Sequence, residues 1–214
     1  MNVGNRMTHN PITVHPETPV YEAQSIMRRE KIHRLPVLSK ENHLVGIVTE
    51  KDLIYASPSP ATTLDAYEMS YLLSKLKVAE VMCSNVLTVH EDTPVEEAAR
   101  IMADNNIGGL PVVRDSHLVG IITESDLFKI FIEMFGAREK GLRATLVIPE
   151  KKGELASLAA AIASKGGNVI SLATFLGEDS DHVIVTIKVN EIEKAAFEEA
   201  VKPFIDRIMD IRIT

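Results

Sequence analysis

Ile32-His33-Arg34-Leu35-Pro36-Val37, followed by Val45-Gly46-Ile47-Val48-Thr49-Glu50-Lys51-Asp52-Leu53, returns about 75 residues later as Ile107-Gly108-Gly109-Leu110-Pro111-Val112 and Val119-Gly120-Ile121-Ile122-Thr123-Glu124-Ser125-Asp126-Leu127. About half of the aligned positions in the two copies are identical, and one residue is deleted in the turn before His117. Self-similarity at a fixed period means two copies of one supersecondary block that share a backbone. Working outward, Ile12-Thr13-Val14 reads as a short strand. Thr18 and Pro19 then suit the N-cap and first position of a helix carrying Val20, Ala23, Ile26 and Met27 on one face to about Glu30. Leu35 to Leu38 and Leu44 to Val48 read as two further strands, the second dense enough in branched residues for burial on both faces. Leu87-Thr88-Val89, Thr93-Pro94-Val95 with Ala98, Ile101 and Met102, Leu110 to Val113, and Leu118 to Ile122 repeat each part. The repeating unit is strand, helix, strand, strand, helix.

Between the copies, Ser57-Pro58-Ser59-Pro60-Ala61-Thr62-Thr63 forbids a regular helix, and Tyr67, Leu72, Leu73 and Leu76 follow at roughly helical spacing. After Leu127 an apolar helix, Phe128 to Phe135, ends at Gly136 or Gly141. From Leu142 the pattern changes. Arg143 to Ile148 is a strand, Lys152-Gly153 a turn, and Leu155, Leu158, Ala159 and Ile162 one helix face closed by Gly166-Gly167. Strands at Asn168 to Phe175 and Val183 to Val189, a helix from about Ile192 to Met209 and a strand Asp210 to Thr214 complete a β-α-β-β-α-β order, the ferredoxin-like arrangement. The expected class is α/β and α+β, with residues 1–57 as repeat 1, 58–77 as an insert, 78–135 as repeat 2 and 142–214 as a third domain.

Composition bounds the function. The 214 residues are 45% hydrophobic and 25% charged, with a net charge of −7, which argues against general affinity for nucleic acid or anionic membrane. The one cysteine, Cys83, allows no intramolecular disulfide and no thiolate cluster, and no apolar run reaches the roughly 18–20 residues of a membrane span. With no apolar h-region at the N-terminus, the expectation is a cytoplasmic protein. The sequence has no G-x-x-x-x-G-K-[ST], H-E-x-x-H or G-x-S-x-G, and its seven histidines show no metal-ligand spacing. Neither catalysis nor a required cofactor or metal is expected.

The repeated Thr-x-x-Asp follows a buried strand and starts a helix, where a hydroxyl and a carboxylate suit the paired hydroxyls of a ribose. The same residues also read as helix caps, Thr49 and Thr123 at N-cap with Asp52 and Asp126 at N3, and taken alone the pattern favours capping. His33-Arg34 offers donors for a phosphate in the first copy. The equivalent Gly108-Gly109 offers close backbone approach without charge.

This duplicated pattern resembles a pair of CBS domains, the cystathionine-β-synthase-type regulatory repeat, over roughly residues 1 to 135. The resemblance implies two repeats packed about a pseudo-twofold axis, with two clefts for AMP, ADP, ATP or S-adenosylmethionine as regulatory ligands. It also implies crossed nucleotide-binding sites: Asn10, Ile12, Ile32, His33 and Arg34 with Thr123, Ser125 and Asp126 in one, and Val86, Leu87, Ile107, Gly108 and Gly109 with Thr49 and Asp52 in the other, with His33 and Arg34 at the axis able to reach either. Residues 142–214, with Lys152-Gly153-Glu154-Leu155 and Gly167-Asn168-Val169-Ile170, resemble an ACT domain, which implies an amino-acid effector at Gly153 and Asn168. Ile148 and Glu150 depart from the polar residues of serine-sensing members. The whole layout is similar to the acetoin-utilisation protein B family. It implies a homodimeric small-molecule sensor acting on a further protein, with an oligomerising scaffold as the alternative.

Overall fold

Val20, Ala23 and Met27, spaced to share one face, are buried on helix α1 (Val20–Glu30), whose chain reverses at Lys31 in the left-handed region (φ 55°). The computed structural model describes residues 1–56, 75–177 and 179–214. The readings made for residues 57–74 lie outside them. The chain divides into two compact units, Met1–Leu127 and Phe128–Thr214.

In the first unit, β1 (Thr8–His9) precedes α1, and the first copy continues with β2 (Arg34–Leu38), β3 (Leu44–Thr49) and α2 (Glu50–Tyr55). A short α3 (Val78–Val81) leads into the second copy, with β4 (Val89–His90), α4 (Val95–Asn105), β5 (Gly109–Arg114) and β6 (His117–Thr123). Helix α5 (Glu124–Met134) follows. Each copy pairs its two long strands antiparallel, with Leu35 opposite Val48 and Leu110 opposite Ile122. The matching registers show that the copies share a backbone.

Several local expectations change. Pro19 and Pro94, not Thr18 and Thr93, occupy the N-cap positions. The threonine hydroxyls instead accept the amides of His15 and His90, both at 3.1 Å, and so fix the turn that aims each helix. Ile12 to Val14 contributes a single parallel bridge, Val14 to Val37, rather than a strand. In β3 the burial expected on both faces is confined to one: Val48 is fully buried while Ile47 is not.

The copies exchange their leading segments. The amide of Val3, ahead of copy 1, donates to the Thr93 carbonyl of copy 2 (2.8 Å), and that of Val78, ahead of copy 2, donates to the Thr18 carbonyl of copy 1 (2.9 Å). Likewise β1 pairs with β6, and Cys83 bridges Ile47. Val78 is buried in the first copy's core with Val20, Met27, Leu35, Val37 and Leu53, and Leu76 packs against that cluster. The first copy does not close its core alone.

In the second unit, β7 (Leu142–Pro149), β8 (Asn168–Leu176), β9 (His182–Asn190) and β10 (Arg207–Ile213) form an antiparallel sheet in the order β10-β7-β9-β8. Helices α6 (Glu154–Ser164) and α7 (Lys194–Val201) bury Leu158, Ile162, Phe197 and Val201 against Leu146, Ile148, Val185 and Ile187. The β-α-β-β-α-β order is the expected one, but the last helix is shorter than the 192–209 span predicted. A 3-10 turn, Lys202–Phe204, carries Pro203, which cannot continue an α-helix, and β10 starts at Arg207.

His182 stands between Asp179 (Nδ1 to Oδ1, 2.7 Å) and Asp206 (Nε2 to Oδ2, 3.2 Å), tying the turn before β9 to the start of β10. The hydrogen bond to Asp179, with the charges of Asp179 and Asp206, raises its pKa above the ordinary value near 6.5. A raised folded-state pKa contributes stability that is full below about pH 6.5 and is lost as pH rises through the higher folded value. Melting curves of the protein are therefore expected to lose stability on that upward passage, and His182→Gln to flatten the loss. Equal slopes in both proteins would sink the assignment.

Candidate functional site

The end of β3 delivers Thr49 to the first turn of α2, and the two form a reciprocal cap. The Thr49 amide and hydroxyl both donate to Asp52 Oδ2 (2.9 and 2.7 Å), and the Asp52 amide donates to Thr49 Oγ1 (3.3 Å). The cap therefore orients the carboxylate without using it up. Among the described residues Asp52 Oδ1 has no protein hydrogen bond. Thr123 and Asp126 repeat the geometry at the start of α5 (3.1 and 2.7 Å), but there the carboxylate is buried. Capping and ligand binding, alternatives in the sequence, are compatible uses of one arrangement.

Thr49 and Asp52 open onto a cleft of about 670 Å³ within the first unit, inside the roughly 300–1,000 Å³ range of small-molecule sites. It is lined by both copies. The first supplies His33, Arg34, Ile47, Thr49, Glu50, Lys51 and Asp52. The second supplies Val86, Leu87, Asn105, Asn106, Ile107, Gly108, Gly109 and Pro111, with Cys83 and Asn85 from the segment ahead of it. Ile47, Val86, Leu87, Ile107 and Pro111 give apolar walls, and the glycines give a bare backbone edge.

Arg34 explains those glycines. Its guanidinium donates from Nη1 to the Gly108 carbonyl, and a Cβ added to Gly108 would lie 2.6 Å from Arg34 Nη2 and 2.7 Å from Glu124 Oε2. A Cβ on Gly109 would also meet the guanidinium. Gly109 is the positional equivalent of Arg34, so a second arginine there would compete for the same space. Burial lowers the Arg34 pKa, and the charges of Glu124 and Asp126 oppose that effect. His33 Nδ1 pairs with Glu50 Oε2 at 2.7 Å on the exposed rim.

The structure thus brings His33 and Arg34 into the cleft with Thr49, Asp52, Val86, Leu87, Ile107, Gly108 and Gly109. Asn10, Ile12, Ile32, Thr123, Ser125 and Asp126 do not line it. Asn10 is exposed with φ 47°, Ile12 is exposed, and Ile32 packs on the first copy's core. Lys51 and Asn85 were missed, although the repeat pointed to them: they are the equivalents of Ser125 and Asn10, which the crossed assignment did include. In the second unit, Gly153 (φ 86°) lines a separate cavity of about 390 Å³ with Glu150, Lys151 and Thr174. Asn168 is not part of it and donates from Nδ2 to Asn190 Oδ1 (3.0 Å).

The model of the CBS domain family matches residues 3–59 and 78–133. A CBS domain-containing protein of Dictyostelium discoideum is 34% identical over 129 residues, covering 60% of this chain and 89% of that protein. Among solved structures, a CBS domain pair in complex with 5′-methylthioadenosine and S-adenosyl-L-methionine is 32% identical with TM-score 0.52, over 65% of this chain and 98% of that one. A Vibrio cholerae protein described as acetoin utilization protein AcuB is 31% identical with TM-score 0.53, over 64% and 95%. The protein CBSX2 in complex with AMP is 32% identical with TM-score 0.50, over 61% and 96%. With both copies matched, their strands in common register and a cleft built across them, the chain belongs to the CBS domain family.

Proposed function

We propose that the protein is a non-catalytic regulator that binds an adenosine ligand, AMP, ADP, ATP or S-adenosylmethionine, in the cleft of its first unit. The observation that carries this reading is the Asp52 carboxylate, fixed at Oδ2 by Thr49 and open at Oδ1, on the edge of a cleft with apolar walls. An ionised carboxylate accepts from both hydroxyls of a ribose. Ile47, Val86, Leu87 and Ile107 would flank the base, and Asn85 and Asn106 would meet its polar edge. The 32% identical pairs solved with S-adenosyl-L-methionine and with AMP support an adenosine ligand.

Residues 142–214 are read as an ACT domain, supported by their strand order and by the cavity at Gly153. An amino-acid effector there would use the Gly153 turn; Asn168, bonded to Asn190, is the weaker half of that assignment. A homodimer and a regulated protein partner complete the reading, and the likeness to the Vibrio cholerae protein supports a role in acetoin or carbon metabolism. Ligand binding would act through differential affinity for two conformations. A second reading, an oligomerising scaffold without ligand, is favoured by the exposed Phe128, Phe131 and Met134 on α5.

A thermal-shift titration with AMP, ADP, ATP, S-adenosylmethionine and a panel of amino acids separates the two. A ligand at about 100 times its Kd stabilises the native state by about 2.7 kcal/mol, which moves the melting temperature by several degrees. A shift with at least one adenosine compound is expected. No shift with any of them would transfer the assignment to the scaffold.

A further inference from the structure

The duplication sets a histidine at the same point of each hairpin: His43 stands directly ahead of β3, and its equivalent His117 opens β6. The turns that deliver them differ. In the longer one, of the first copy, the Ser39 amide donates to the His43 carbonyl (2.8 Å) and Asn42 adopts the left-handed region (φ 62°). In the tight turn of the second copy both Asp115 and Ser116 are left-handed (φ 47° and 65°), and His117 pairs with Arg114 across the hairpin. Both routes end at one place. Within the first unit the backbones of His43 and His117 form an antiparallel bridge between the copies, and their rings meet edge to face with centres 6.1 Å apart. Both residues are exposed.

We propose that this pair binds one divalent transition-metal ion of the zinc, nickel or copper class, held across the two copies by one imidazole from each. The protonation pattern suits it. His117 Nδ1 lies 2.8 Å from the Asp115 carbonyl, which can only accept, so Nδ1 carries the proton and Nε2 of the neutral ring keeps its lone pair. Ligation through one ring nitrogen while the other donates to a backbone carbonyl is the usual arrangement at metal sites. The His43 ring makes no hydrogen bond among the described residues, so its acceptor nitrogen is uncommitted as well. The separation also fits. Two imidazoles that share an ion at about 2.0–2.1 Å from each nitrogen have ring centres roughly 5–6.5 Å apart, from a tetrahedral to a linear angle. The observed 6.1 Å lies in that span. The ring torsion of histidine is soft, so exposed rings can turn toward a shared ion without moving the backbone. Imidazole nitrogen selects this class of ion over magnesium and calcium, which take oxygen ligands. Among the described residues no group of three or more histidine, cysteine or carboxylate side chains could hold a metal, so two side chains and water make up the site. Each copy supplies only one ligand, which is why spacing along a single element does not reveal it.

Zinc titration of the full chain, followed by NMR of nitrogen-labelled imidazoles, tests this. Of the seven histidines, the two assigned through His43→Gln and His117→Gln are expected to shift together and to saturate at one zinc per chain. Magnesium should move neither. In calorimetry each single variant is expected to lose about tenfold or more in zinc affinity, since even the outer hydrogen-bond partners of a metal ligand are worth about ten- to a hundredfold. Both positions are exposed, and an unchanged melting temperature without zinc verifies that the variants fold. The proposal is overturned by zinc shifts confined to other histidines, by no shift at all, or by unchanged zinc affinity in either variant. A His43 response that survives His117→Gln at the same zinc concentration would likewise reduce the pair to two rings that only pack.

Discussion

Asp52→Ala is expected to weaken adenosine-ligand binding by about ten- to a hundredfold, since hydrogen bonds to a charged acceptor contribute about 1.5–3 kcal/mol. The same change removes the reciprocal cap of α2, in which Asp52 Oδ2 accepts both the amide and the hydroxyl of Thr49. Loss of such a cap costs about 1 kcal/mol, which a denaturant titration resolves as a lower midpoint at unchanged slope. The two losses can be separated. Asp52→Asn keeps an oxygen for the Thr49 amide but carries no charge, so it should recover most of the stability and little of the affinity. If Asp52→Ala binds AMP as the native protein does, the cleft described here is not the ligand site. Asp126, which does not line this cleft, provides the internal comparison: its removal should disturb folding more than AMP affinity.

The repeat made most of this geometry legible, because a duplicated sequence constrains two structures at once. The positions of α1, β2 and β3, their equivalents α4, β5 and β6, and the Thr49–Asp52 cap all follow from local pattern. What local pattern could not reach was the exchange of leading segments. Val78 is buried in the core of the first copy and the buried Val3 is hydrogen-bonded to the second, each away from the copy to which it belongs, and two residues of β1 carry no strand signal of their own. The threonines ahead of α1 and α4 depart from the expected cap role for a related reason. A Thr-Pro pair suits a cap, but here each hydroxyl is already committed to a turn amide three residues back. The fate of His33 and Arg34 depended on side-chain reach across the axis, which no spacing encodes. The vacancy at Gly108 and Gly109 was the clue to it. Lys51 and Asn85 were available by symmetry alone, once Ser125 and Asn10 had been considered. Pro203, visible in the sequence, limited the last helix more tightly than its apolar periodicity suggested.

Phe197→Ala is expected to produce the largest stability change in the chain and to leave the ligand cleft working. Phe197 is fully buried on α7, where it fills the core of the second unit with Leu146, Leu158, Ile162 and Ile187. Truncating a buried phenylalanine costs about 3–5 kcal/mol, the lost transfer free energy plus the cavity left behind. For a cooperative unit of 60–100 residues each kcal/mol moves the melting temperature by about 4–8 °C, so a domain comparable in size to Phe128–Thr214 should melt far below its native temperature. The first unit has its own core, built around Leu35, Val37 and Leu53 in the first copy, and none of its cleft residues lies in the second unit. Calorimetry is therefore expected to show an early transition that AMP does not move and a later one that it does. A single transition, shifted as a whole by both the substitution and AMP, would instead mean that the two units fold as one. In that case occupancy of the cleft would be coupled energetically to the C-terminal sheet, the coupling a two-module regulator needs if it is to combine two signals.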